Sequence, residues 1–141
     1  MLSQAQHDLA FETSGPGFID ITREVGCWLR GIGAEVGQVT VFIRHTSASL
    51  TIQENADPDV QRDLGAALDK LAPRNADYRH TTEGPDDMPA HIRAMLTSTS
   101  LHIPVRDGAL ALGTWQALYL VEHRDAPHRR NVVLHYVGGL G

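Results

Sequence analysis

The stretch His80-Thr-Thr-Glu-Gly-Pro-Asp-Asp-Met-Pro-Ala-His91 gathers two imidazoles and three carboxylates, Glu83, Asp86 and Asp87, into twelve residues. Imidazole nitrogens and carboxylate oxygens are the donors that divalent metals take from proteins. Pro85 and Pro89 each fix φ and restrict the residue before them, and Gly84 admits conformations closed to other residues, so the segment reads as a shaped loop that presents its side chains. Pro89 suits the first position of a helix, and the AHIRAML run after it has helical character. That reading puts His91 in the first turn and Asp86 and Asp87 near the positive end of the helix dipole. Such a segment can hold a metal or receive an anion. The competing reading is a well-capped helix start with solvated acids.

A second reactive stretch runs from His45 to Glu54. If it is extended, Ala48, Leu50 and Ile52 face the core, while Ser47, Ser49, Thr51 and Gln53 share the other face with His45. A row of hydroxyls that begins at a histidine could line a polar cleft, although an ordinary half-exposed strand uses Ser and Thr as freely. Glu54, Asp57 and Asp59 follow as candidates for a magnesium or substrate contact, and helix capping also accounts for Asp57. A further histidine, His123, ends an apolar run between Glu122 and Arg124.

The elements that must position these groups follow from periodicity. Residues 5 to 13 read as a strand and Ser14 to Gly17 as a turn. Asp20 or Thr22 can cap a helix in which Ile21, Val25, Trp28, Leu29 and Ile32 recur at helical spacing, closed by Gly31 and Gly33. Val39, Val41 and Ile43 alternate with Thr40, Phe42 and Arg44, which predicts a strand. Pro58 starts a helix whose Val60, Leu64, Ala67, Leu68 and Leu71 make one apolar stripe. After the helix at 89 to 97 comes Leu101 to Val105, and Asp107-Gly108 is a favoured hairpin turn. Leu110 to Arg124 reads as one long extended region bent near Gly113, apolar on both faces as in a covered strand. Asn131 to Val137 is a last strand before a glycine-rich tail. The whole, residues 1 to 141, is predicted to be a single α+β domain: a mainly antiparallel β-sheet or sandwich with two or three packed helices.

Composition narrows the function. A net charge of −5 argues against a dedicated nucleic-acid binder, which carries a basic face. No apolar run reaches membrane-spanning length and no signal-peptide pattern opens the chain, so a soluble cytoplasmic protein is the expectation. Cys27 is the single cysteine, which excludes an intrachain disulfide and a cysteine-based zinc site, and its helical context suggests a small core residue.

HTSASLTIQENADPDV, HTTEGPDDMPAHI and GTWQALYLVEHR, in that order, resemble the YjbQ family, a likeness that runs from the first strand to the last. The resemblance implies a homotrimeric α+β protein with a histidine-rich, metal-binding pocket and a secondary thiamine-phosphate synthase activity. That reaction joins a pyrimidine methyl diphosphate to a thiazole phosphate and expels pyrophosphate.

Within those motifs His80, His91 and His123 come from three segments that border loops, and three protein ligands with one open position is the usual catalytic zinc arrangement. They are the expected metal ligands, zinc first. His45 is then placed as a proton-transfer group or substrate contact. Diphosphate chemistry calls for Mg²⁺ on carboxylates, and Asp86, Asp87 and Glu54 could supply them. Of these, Asp87 and Glu54 join His45 as catalytic candidates, and Ser47, Ser49, Asp86 and Arg124 are candidates for substrate phosphate. His7, His102, His128 and His135 read as surface or core residues. There is no Walker-type loop and little basic charge for a dedicated diphosphate enzyme. Two alternatives therefore stand beside the synthase: a metal-dependent hydrolase or transferase on another small anion, and a trimeric metal- or ligand-binding protein without turnover.

Overall fold

A computed structural model describes all residues, 1 to 141. The architecture is α+β: eight strands, β1 (Ser3–Thr13), β2 (Gly17–Asp20), β3 (Ala34–Ile43), β4 (Ala48–Glu54), β5 (Ser100–Arg106), β6 (Ala109–Leu110), β7 (Gln116–Glu122) and β8 (His128–Leu140), with three helices, α1 (Thr22–Gly31), α2 (Pro58–Leu71) and α3 (Asp87–Leu96). Every pairing is antiparallel. One sheet has the order β1-β8-β3-β5-β6, and the other has β2-β7-β4.

β8 is the axis of the larger sheet, paired along its length with β1 on one side and β3 on the other. Because side chains alternate across a strand, its inward set is Arg130, Val132, Leu134 and Tyr136, all buried. The core they enter is completed by Val39, Val41 and Ile43 of β3, Leu118 and Leu120 of β7, and Val25 and Leu29 of α1. Arg130 stands in phase with apolar residues, so its guanidinium has to enter the core and has to find an anion there.

Several expectations change. The glycine-rich tail is part of β8, because a bulge in β3 between Ala34 and Gly37 brings the two backbones together. A Cβ on Gly37 would stand 2.3 Å from the Val137 carbonyl oxygen, which leaves glycine as the residue that fits. The long extended region after Leu110 is two strands in different sheets. The chain leaves β6, turns at Gly113 with Gln116 N–H donating to its carbonyl at 3.1 Å, and enters β7. β2 escaped the sequence reading because its four residues carry too little pattern, and it pairs with distant β7. Cys27 is exposed on α1, opposite the buried Val25 and Leu29. The Asp107-Gly108 turn has φ of 52° and 76°, the positive pair that a type I′ hairpin requires. No helix is long and apolar enough to cross a membrane.

Candidate metal centre

α3 begins two residues before Pro89, at Asp87, with Asp86 as the preceding cap residue. That shift decides the chemistry. Asp87 and His91 become i and i+4 neighbours on one helical face. Two successive turns, closed by Gly84 N–H donating to the Thr81 carbonyl and Asp87 N–H donating to the Gly84 carbonyl, bring His80 beside them. His80 Nε2 lies 2.7 Å and His91 Nε2 3.2 Å from Asp87 Oδ2. The three donor atoms lie within 4.8 Å of one another, a spacing that suits one metal ion.

Neither acid caps α3 with its side chain. Both are buried instead and held by Arg124, whose Nε donates to Asp86 Oδ2 at 2.8 Å and whose Nη1 donates to Asp87 Oδ1 at 2.9 Å. Arg124 also donates to the Glu83 carbonyl at 2.9 Å, which ties the loop to the end of β7. The hydrogen bond from Arg124 holds the Asp86 carboxyl down at about 2, so this acid is anionic throughout the neutral range. One oxygen of Asp87 is thus committed to a guanidinium, and the other faces two imidazoles. A supporting cation of this kind fixes the ligand carboxylate in orientation. Asp86, Asp87 and Asp125 stand against Arg124 and Arg74, so the paired charges leave an excess of negative charge that favours a cation.

A second buried network adjoins the first through the chain. Glu122, 1 % exposed, pairs with Arg130, 3 % exposed, and also accepts from Thr13 Oγ1 at 2.6 Å. Its Oε2 receives the backbone N–H groups of His123 at 3.0 Å and Arg124 at 3.2 Å. Burial pushes the Glu122 carboxyl up, but the hydrogen bonds from Arg130, Thr13 and Arg124 outweigh it and the net direction is down. Sequence reasoning passed over this pair. Its signal was available in Arg130, which keeps step with Val132, Leu134 and Tyr136, and in Glu122, which closes the apolar run of β7.

The remaining predicted site residues do not join the cluster. His123 is 2 % exposed and its Nε2 meets Ser49 Oγ at 2.9 Å, not the other two histidines. Ser49 is fully buried under Thr97 of the chain leaving α3, so the expected exposed hydroxyl face is covered at this point. Ser47 receives Arg130 at its hydroxyl and its carbonyl. His45 Nε2 accepts from Asn131 N–H at 2.8 Å, and burial followed by the Arg130 charge lowers its pKa. Glu54 lies at the far end of β4, roughly 17 Å along the strand from Ser49, and accepts from Asp57 N–H at 3.3 Å. Asp57 caps α2 as expected, its carboxylate accepting from Asp59 N–H at 2.9 Å.

The sequence model of the family described as "UPF0047 protein YjbQ-like" matches residues 7–139. The chain belongs to the YjbQ-like UPF0047 family. Among its relatives, UPF0047 protein sll1880 of Synechocystis is 50% identical over 136 residues, covering 96% of this chain and 92% of that one. UPF0047 protein YjbQ of Salmonella typhimurium is 44% identical over 129 residues, covering 91% and 94%. The crystal structure of a YjbQ/UPF0047 family protein from Clostridium acetobutylicum superposes with a TM-score of 0.84 at 42% identity, over 91% of this chain and 97% of that one. A YjbQ-like protein from Sulfolobus solfataricus reaches a TM-score of 0.91 at 22% identity, over 99% and 100% of the two chains, which speaks for the fold. The α+β architecture of two antiparallel sheets and three helices is therefore that of the YjbQ-like family.

Burial, and after it the Arg93 charge, pushes the His123 imidazole down to about 4. Below pH 6.5 the unfolded chain gains a proton here that the folded protein does not take until about pH 4, so stability falls as pH drops through that window. The full loss is about 3 kcal/mol. Urea midpoints measured from pH 7 to pH 4 should fall in the wild type and flatten in His123→Gln, which keeps a polar group near Ser49. Equal slopes in the two proteins would remove His123 as the source.

Proposed function

We propose that this chain is a metal-dependent enzyme acting on a small phosphorylated substrate, with a divalent metal held by His80, Asp87 and His91. The observation that carries the reading is the convergence of those three donors beside a cavity of about 430 Å³ lined by Arg74, Tyr78, His80, Thr81 and Met88. Two imidazoles and one carboxylate fit zinc first, and they leave coordination positions open. A divalent cation bound there would supply Lewis-acid stabilisation of charge on a phosphoryl oxygen. Magnesium is the second choice, suited to a diphosphate substrate.

The chain's own groups have separable parts. Arg124 and Asp86 hold Asp87 in place. Arg74, 44 % exposed at its side chain and paired with Asp125, stands in the wall of the same cavity, where it can meet a phosphate oxygen. His45, Ser47, Ser49 and Glu54 lie outside the cluster within one chain, so the proposed chemistry is assigned to the cluster and Arg74. Thiamine-phosphate synthesis, implied by the family resemblance, is kept as a secondary activity. The commitment of Arg124 to Asp86, Asp87 and Glu83 leaves little cationic charge for a diphosphate leaving group, which favours a hydrolase on a smaller phosphorylated or anionic substrate as the second reading. The experiment is elemental analysis of the purified protein, followed by a phosphate- and pyrophosphate-release screen of phosphorylated metabolites that includes the thiamine precursors. Metal near one per chain and metal-dependent turnover are expected; a protein that binds no metal overturns the reading.

We also propose a homotrimer in the cytoplasm. Its support, beside the resemblance, is the exposure of Phe42, Met95, Leu96, Trp115 and Val137, apolar side chains that a partner surface would cover. Trp115 lies outside the β7 run, whose Ala117 to Val121 are already buried within the chain. Light scattering at micromolar concentration should give the mass of three chains, and a monomer would reject the assembly.

A further inference from the structure

α2 covers the smaller sheet loosely. Its predicted stripe is incompletely buried: Val60, Leu64 and Leu68 are intermediate, Ala67 is exposed, Leu71 is 64% exposed, and no residue of the helix is fully buried. Between α2 and the β2–β7 strands lies a cavity of about 550 Å³ whose lining includes Phe18, Gly65, Leu68, Arg93, Val121 and His123. It shares no lining residue with the cavity beside His80.

Two polar groups in its wall have bonding capacity left over. Arg93 is 6% exposed and uses one nitrogen, Nη2, to reach Asp69 Oδ1 at 2.9 Å and the Ala72 carbonyl at 3.3 Å. Its Nε is buried with no hydrogen-bond partner, a costly state that native proteins rarely keep. His123 uses Nε2 on Ser49, and its Nδ1 makes no hydrogen bond. Gly65 supplies an independent sign of reserved space. It sits inside α2, where glycine is a poor helix former, yet a Cβ built there would meet nothing within 4 Å. Packing therefore does not require a glycine at this position.

We propose that this cavity is a second ligand site, which takes a small monocarboxylate with an apolar body. The carboxylate accepts from the Arg93 guanidinium and from His123 Nδ1–H, and the body lies among Phe18, Leu68 and Val121. When Ser49 donates to His123 Nε2, the ring proton resides on Nδ1, the arrangement an anion selects. Arg93 is the buried cation of this wall, and its partner Asp69 is 70% exposed, so a ligand carboxylate would share the guanidinium with a solvated acid.

The test uses phenylpropionate as the probe, with phenylpropionamide and phenyl phosphate as comparators, in calorimetric titrations of the purified protein. Saturable binding of the carboxylate is expected, at least about tenfold tighter than the amide and the phosphate ester. Gly65→Leu should melt no lower than wild type, because leucine is the better helix former, and should lose the binding by filling the space. Arg93→Gln should weaken binding by at least about tenfold. The double variant His80→Ala, His91→Ala should bind phenylpropionate as the wild type does, which separates this site from the proposed metal centre. Three results overturn the proposal: no saturable binding up to about 10 mM, unchanged binding in a folded Gly65→Leu, or binding that disappears with the two histidines.

Discussion

Arg130→Met should cost about 3–5 kcal/mol of folding stability, the loss expected when one partner of a buried ion pair is removed. The guanidinium lies in the β8 register of Val132, Leu134 and Tyr136, and without it Glu122 becomes a buried carboxylate with no counter-charge. Methionine fills similar space, so little of the cost comes from an empty cavity. Glu122→Gln combined with Arg130→Met should recover part of the loss, since the amide oxygen can still accept the N–H groups that Glu122 now receives from His123 and Arg124. Urea unfolding of the single and double variants measures the coupling. A cost below about 1 kcal/mol for Arg130→Met would mean that the pair does not hold this part of the core. The consequence reaches the metal centre. Glu122 pins the turn where the chain sends His123 one way and Arg124 the other, so a loosened pair should also loosen Asp87.

Replacing His80 and His91 together by alanine should abolish metal binding and turnover together. The two imidazoles supply two of the three donors, and Asp87, still held by Arg124, has one oxygen free. Arg124→Lys should act more mildly, lowering metal affinity by roughly 10–100-fold, because lysine offers one point charge where the guanidinium divides itself between two carboxylates. His45→Asn, outside the cluster, should keep its metal. Occupancy in the wild type should fall as the solution is acidified, since the imidazoles must be deprotonated to ligate. Elemental analysis and turnover on the substrate found by the release screen measure all four outcomes. Equal metal in wild type and the double histidine variant would falsify the site. Loss of metal in His45→Asn would instead draw that histidine into the ligand set.

What the sequence determined by itself is the part written in periodicity and in local turn chemistry. The alternation of Val39, Val41 and Ile43, the 3.6-residue spacing from Val25 to Leu29, the Asp57-Pro58 helix start and the Asp107-Gly108 hairpin all formed as read, because each rests on residues close together in the chain. The motif stretches carried the family for the same reason. The loop from His80 to His91 could be recognised as shaped and rich in donors from proline, glycine and histidine alone.

Tertiary structure decided which donors meet. Whether Pro89 opens α3 or stands inside its first turn changes nothing in local propensity, yet it sets Asp87 one turn before His91 and so makes the cluster. Arg124 arrives from the end of β7, 37 residues away from Asp87, and brings a charge match that no local pattern encodes. His123 was grouped with the other histidines because all three border loops, but its direction depends on strand parity. Following the buried Glu122, it is turned to Ser49 and into the wall of the cavity under α2. The space under α2 follows from the same cause: an apolar stripe in sequence states that a helix face seeks cover, and only the packed sheet beneath fixes how much of that face is covered.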